Sequence, residues 1–167
     1  ISVYISNVSF WMDILDLWSS LNERITTIYL PDRKRPMLPT VLSDALCSLT
    51  ENDIRFAFLL ELYIDENNQL THHEFYNSVI KVKRNLRYDT EEQENHHDYK
   101  ILLEIVKKMN RKSMKYIDSI DTSHDVVAYL MVTMNYICAK ELEKLKCGVF
   151  RSAKLRTKKE LPGHIST

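Results

Sequence analysis

Two tyrosines and a basic triplet are the side chains of this 167-residue chain best suited to chemistry with a polyanion. Tyr29 stands at the mouth of a proline-rich run, and Tyr88 stands just before a helix start at Thr90. Both are places where a ring can be presented, and a presented ring stacks on the bases of single-stranded nucleic acid, worth about 1–3 kcal/mol per base. Arg33, Lys34 and Arg35 lie in the same run; such cations hold phosphate regardless of sequence, with an affinity that weakens in salt. By residue type alone, each tyrosine also suits a half-buried place in a core, and the triplet a solvated loop.

The other reactive side chains have plainer readings. Asp13 and Asp16 fall on the polar face of a helix, while Glu91, Glu92 and Glu94 crowd a helix N-terminus, where the dipole favours anions. Adjacent histidines diverge to opposite faces of a strand and about 100° apart on a helix, so neither His72-His73 nor His96-His97 chelates a metal. Cys47, Cys138 and Cys147 form no CxxC pair, which reads as reduced thiols in an intracellular protein, cytoplasmic or nuclear. Two glycines, Gly148 and Gly163, are too few for a phosphate-cradling loop, so P-loop and dinucleotide-binding functions are excluded.

The elements that must position these groups begin with a strand over residues 2–9 and a helix from Phe10 to Ile25, whose apolar residues keep helical spacing. Thr26 to Tyr29 is β-branched and aromatic, a short strand leading into the proline run. Three of the chain's four prolines, Pro31, Pro36 and Pro39, fix an extended loop there, followed by a helical turn through Leu42 to Leu46. Arg55 to Ile64 is apolar on both faces, hence central in a sheet. The turn cluster Asp65 to Asn68 joins it to a second strand from about Leu70 to Val82.

Thr90 and Gln93 then fit a capping box, and Tyr99, Leu102, Val106 and Met109 mark the helix that follows. Asp121 to Ser123 offers another N-cap, before a long helix that ends ahead of Gly148. Val149-Phe150 is read as a final strand. The class is α+β, a mixed β-sheet in the first half with helices packed on it and a helix-rich second half. Net charge is zero, yet residues 1–80 hold 5 Lys+Arg against 11 Asp+Glu, and residues 81–167 hold 18 against 12. A basic second half of this kind suits a polyanion-binding face, or equally solvated helices and a basic tail. No apolar run approaches the ~18 residues that cross a membrane, and no signal peptide is expected from the sequence given.

A longer pattern brings these pieces together. Tyr29-Leu-Pro-Asp-Arg-Lys-Arg-Pro-Met-Leu-Pro-Thr-Val-Leu-Ser-Asp-Ala-Leu-Cys-Ser-Leu49 resembles, nearly without gaps, the Y-L-P-D-R-x-x-P-M-L-P-x-x-L-S-x-x-L-C-S-L signature of the RNB catalytic domain of ribonuclease II, ribonuclease R and exosome exonucleases. In the family's order follow Val3 to Trp11, similar to V-H-I-A-D-V-S-H-F; Arg55-Phe-Ala-Phe58, similar to R-L-A-F; and Val79 to Asp89, similar to a segment ending in L-x-Y-x. Val127 to Asn135 is similar to V-E-E-F-M-L-L-A-N, and Val149-Phe-Arg151 resembles the Y-R that comes after it. The likeness runs over residues 1–153, a partial RNB-type domain, with 154–167 left as a basic, weakly ordered tail. An opening Ile1 in place of Met is read as the start of a piece of something longer.

The resemblance implies Mg²⁺-dependent, hydrolytic 3′→5′ degradation of single-stranded RNA to nucleoside 5′-monophosphates, carried out alone or within a larger RNA-decay complex. It places Tyr29 and Tyr88 at positions that clamp the RNA 3′ end, and leaves Arg33 and Arg35 as phosphate contacts. The family's Mg²⁺-binding aspartates lie upstream of V-H-I-A-D, so no catalytic or metal-ligating residue is expected here, and the partner implied is the rest of the RNB domain. Tyr4, Asn7 and Phe10 stand where the family has two histidines and an aspartate, and Ala128 and Tyr129 replace its two glutamates. Ala153 replaces a further histidine, and Asn135 is marked by the motif without a role. Scaffold residues are thus kept while polar ones change, as in a divergent nuclease or in an inactive RNA-binding or scaffolding module derived from one.

Overall fold

The computed structural model describes residues 1–20, 26–112 and 115–148, and it divides into compact units at Ile1–Met134 and Asn135–Thr167. The first unit is built on a three-stranded sheet ordered β1-β4-β5, with β1 Ser2–Ser6, β4 Ile54–Ile64 and β5 Leu70–Lys81. β4 is central, as its apolar character on both faces requires, and Ala57, Leu59, Leu60 and Leu62 are buried. Ser2 to Ser6 pair with Glu61 to Ala57, and β4 pairs with β5 from Ile54↔Lys81 to Ile64↔Leu70. In the connecting turn the Asp65 carboxylate accepts from the N–H groups of Asn67 and Gln69, at 2.9 and 2.8 Å. Asn68 takes the positive φ of 60° that asparagine tolerates. The α+β class is as expected. All described pairings are antiparallel and the sheet is not mixed: a five-residue turn returns β5 against β4, whereas a parallel neighbour needs a longer crossover.

β1 ends because Asn7 caps the next helix, its Oδ1 accepting from Phe10 N at 3.2 Å. Of the expected Phe10–Ile25 helix, the described part is α1, Val8–Ile14, and a 3₁₀ turn at Trp18–Ser20, while residues 21–25 lie outside the described residues. Asp16 stops α1 in the left-handed region at φ 49°. Leu17 N bonds Met12 O at 2.9 Å and Asp16 N bonds Asp13 O at 3.3 Å, a Schellman closure with aspartate in glycine's usual place. Trp18 Nε1 donates to the Asp13 carboxylate at 2.6 Å, which folds the following turn back on the helix. Met12 packs in a small core with Leu42 and Cys47, rimmed by Trp11, Leu17 and Leu38.

The main core of this unit lies where α3, His97–Lys112, meets the first part of α4, Ser123–Lys144. Val106, Met109, Ile120, Val126 and Tyr129 are buried there, with Ile1 and Ile64 of the sheet packed on them. The buried Asn110 side chain organises the connection between the helices. Its Nδ2 donates to Ile117 O at 2.7 Å, and its Oδ1 accepts from Tyr116 N at 3.0 Å. A short α2, Glu91–Asn95, precedes α3 and is capped by Thr90 as expected, although Gln93 Oε1 reaches back to Asp89 N, one residue before the cap. Thr122 and Asp125 form the box at the start of α4: Asp125 N donates to Thr122 Oγ1, and the Asp125 carboxylate accepts from Thr122 N at 2.8 Å. In the second unit α4 ends as α1 does, with Cys147 N on Leu142 O and Lys146 at φ 54°. The strand expected at Val149-Phe150 and the tail 154–167 lie outside the described residues.

Candidate nucleic-acid interface

The proline run does more than extend. β2, Ile28–Tyr29, and β3, Lys34–Arg35, make a small hairpin with Tyr29 opposite Lys34 and Ile28 opposite Arg35. Pro31 and Asp32 form its tip between Leu30 and Arg33, whose N–H and carbonyl are bonded at 2.8 Å, so the missing proline N–H breaks no ladder bond. Met37 N donates to Thr27 Oγ1 at 3.2 Å and closes the base. On this support Tyr29 is 80% exposed, which leaves its ring face open to a base.

The three cations differ. Lys34, directly across from Tyr29, is tied to Asp44 at 2.8 Å, and its ammonium, with the Ser43 hydroxyl, holds the Asp44 carboxyl below its ordinary range. Among the described residues Arg33 makes an exposed 3.7 Å ion pair with Asp32, a contact of little strength. Arg35 is exposed and has no ion pair among the described residues. Arg33 and Arg35 are therefore the cations of this hairpin most open to phosphate.

Tyr88 is placed on a separate element by a different device. The Asp89 carboxylate accepts from Ser123 Oγ at 2.7 Å and Ser123 N at 3.2 Å, and Asp89 N donates back to Ser123 Oγ at 3.0 Å. Asp89 has φ 52°, a left-handed turn that points Tyr88 along the start of α4. The Tyr88 ring stacks on His124 at a centroid distance of 4.0 Å and an interplanar angle of 17°, and remains 48% exposed.

The path into Tyr88 carries residues that the sequence reading passed over. Lys81, Lys83 and Arg87 are exposed along it, while Arg84 pairs with Glu92 at 3.1 Å. Asn85 anchors the path: it exchanges bonds with Glu51, and its Nδ2 donates to Leu49 O at 2.9 Å. Four cations in seven residues immediately before Tyr88 were the available signal. His124 gave none, because its contact with Tyr88 is made only by the fold.

Several positions that depart from the family pattern serve packing, while Tyr4 is exposed and Ala153 lies outside the described residues. Asn7, besides capping α1, donates through Nδ2 to Asn77 Oδ1 of β5 at 2.8 Å, and Phe10 packs on Phe56 at 4.1 Å. Tyr129 is fully buried, its hydroxyl has no hydrogen-bond partner among the described residues, and burial pushes its pKa up to about 12. Ala128 is half-buried and Asn135 is exposed on α4. Asp13 is occupied by Trp18, and His72 lies 3.3 Å from Glu74. Among the described residues no three His, Cys, Asp or Glu side chains converge to hold a metal ion. Nor is any helix of these residues long and apolar enough to cross a membrane.

This α+β arrangement, with its proline hairpin and its aromatic path, defines a class: residues 1–163 match the RNB domain model, and the chain belongs to the RNB domain family. Within the family it is similar to Ribonuclease R of Aquifex aeolicus, 38% identical over 88 residues, which are 52% of this chain and 12% of that protein. It is also similar to exoribonuclease 2 of Proteus mirabilis, 43% identical over 68 residues, 40% of this chain and 10% of that one. The matched part of the chain thus covers about an eighth of the length of the Aquifex relative. In fold it resembles Mycoplasma genitalium RNase R in complex with double-stranded RNA, with a TM-score of 0.72 at 21% identity, over 87% of this chain and 32% of that one.

Proposed function

We propose that this chain is the RNA-gripping part of a hydrolytic 3′→5′ exoribonuclease that degrades single-stranded RNA to nucleoside 5′-monophosphates inside the cell, alone or in a larger RNA-decay complex. Its role is to stack bases on Tyr29 and Tyr88 and to hold phosphates with Arg33 and Arg35. The observation that carries this reading is the hairpin, which spends two prolines and a closed base on presenting an 80% exposed tyrosine beside open cations. The RNA named with the Mycoplasma neighbour supports an RNA ligand.

In the whole protein Mg²⁺ would supply charge stabilisation at the scissile phosphate. The described residues do not fit a site for it, since no set of ligands converges among them, and no hydrolytic step is assigned to them. A second reading, an inactive RNB-derived RNA-binding or scaffolding module, is favoured by Asn7, Phe10 and Tyr129 being committed to capping and packing.

The test is binding of a labelled single-stranded oligoribonucleotide, in parallel with a blunt duplex, followed by incubation with Mg²⁺. The expected result is binding to the single strand that weakens linearly in log salt, with no release of mononucleotides by this chain. Binding that ignores salt would remove the phosphate contacts from the reading, and a preference for the duplex would remove base stacking. Mg²⁺-dependent turnover by the full-length protein separates the nuclease from the inactive module.

A further inference from the structure

We infer that His124 is a positioning residue for Tyr88: it occupies one face of the ring, so that Tyr88 stacks a single base on its other face and does not intercalate between two. The inference rests on the reading of Tyr88 as a base-stacking residue and goes beyond it in saying how the ring is held and how many bases it takes.

The geometry comes from two adjacent residues of the path docking on two adjacent residues of α4. Asp89 Oδ1 accepts from both Ser123 Oγ and Ser123 N, while Oδ2 of the same carboxylate lies 3.9 Å from His124 Nε2. One carboxylate thus sets the backbone start of the helix and faces the edge of the imidazole. Next to it the Tyr88 and His124 rings lie nearly parallel, 4.0 Å apart. At that separation nothing enters between them, since it already equals a stacking contact. One face is covered while the residue as a whole stays 48% exposed, so the ring's other face is the one left for a base.

A base arriving on the open face completes a three-ring stack, His124–Tyr88–base. The ring loses little freedom on binding, because the imidazole and the Asp89–Ser123 tie already restrict it, and preorganisation of this kind appears as affinity. His124 is itself 64% exposed in its side chain and lies in the first turn of the helix, so replacing it leaves the core untouched.

The experiment compares the 167-residue chain with His124→Ala, His124→Phe and Tyr88→Ala, using single-stranded oligoribonucleotides carrying 2-aminopurine, whose fluorescence falls on stacking. The expected result is that His124→Ala weakens binding about two- to tenfold, the equivalent of one aromatic pair, and reduces the quenching. His124→Phe restores both, because it returns a flat ring to the covered face. Unchanged or tighter binding by His124→Ala, or a His124→Phe as weak as His124→Ala, overturns the inference while Tyr88→Ala still loses affinity. If Tyr88→Ala itself binds as the parent does, the stacking role of Tyr88 is refuted and the inference is refuted with it.

Discussion

Replacing Tyr29 by alanine separates the energetics of the hairpin from its use. Tyr29 keeps 80% of its surface exposed, so only about a fifth of it is packed. A fifth of roughly 200 Å², at about 25 cal/mol per Å², limits the folding stabilisation lost to about 1 kcal/mol. A base stacked on the ring contributes about 1–3 kcal/mol, a loss of roughly fivefold to 150-fold in affinity when the ring is removed. Fluorescence anisotropy with a labelled single-stranded RNA measures the second quantity, and thermal unfolding followed by circular dichroism measures the first. The expected outcome is a nearly unchanged melt and a clear loss of affinity, with Tyr29→Trp retaining binding. Unchanged affinity in Tyr29→Ala refutes the assignment of this ring to RNA. So does a loss matched by an equal loss of stability, which would make the tyrosine part of the scaffold.

Two other perturbations read other parts of the molecule. Arg33→Gln and Arg35→Gln each remove one phosphate contact, so each lowers the slope of log K against log salt by about 0.7 without changing which sequence is preferred; an unchanged slope rejects that residue as a contact. Tyr129→Phe removes a buried hydroxyl without a partner among the described residues, and the variant is expected to be about 1 kcal/mol more stable in denaturant titrations at neutral pH. The folded pKa of Tyr129, about 12, lies above its ordinary 10.0, so the folded state holds this proton more tightly than the unfolded one. Stability is therefore full below about pH 10 and falls as pH rises toward 12, and Tyr129→Phe lacks this part of the alkaline decline.

The parts of the fold legible in the sequence are those where local pattern and tertiary packing agree. Arg55 to Ile64 reads as a central strand because both its faces are apolar, and both are buried. The turn residues Asp65 to Asn68 use the side-chain bonds their types allow, and Thr90 caps its helix. The misread helix after Phe10 kept its apolar spacing through Trp18 and beyond. What ended it was Asp16 in a left-handed position, a role the sequence signals when glycine fills it and hides when aspartate does. The proline run could be read as a fixed path but not as a hairpin, because the two-residue strands of Tyr29 and Arg35 are too short for any alternation. Tyr88 was legible as a presented ring. Its partner was not, since His124 stands 36 positions away and meets it only through the tie between Asp89 and Ser123.

That tie has a topological consequence. Asp89 and Ser123 are joined across 34 positions, so α2, α3 and their connection form a closed loop whose neck is made of three hydrogen bonds. The entropy of closing such a loop grows only with the logarithm of its length, about 0.6 kcal/mol for each doubling. Residues inserted at the far end of the loop, beyond Lys112, therefore move away from the neck at little cost, and the ring at Tyr88 keeps its place. Breaking the neck instead frees only the ends of the loop, because Val106, Met109 and Ile120 keep its body packed in the core, and the rings at 88 and 124 lose the tie that holds them together. Length can vary in the body of this loop, while the composition of its mouth cannot.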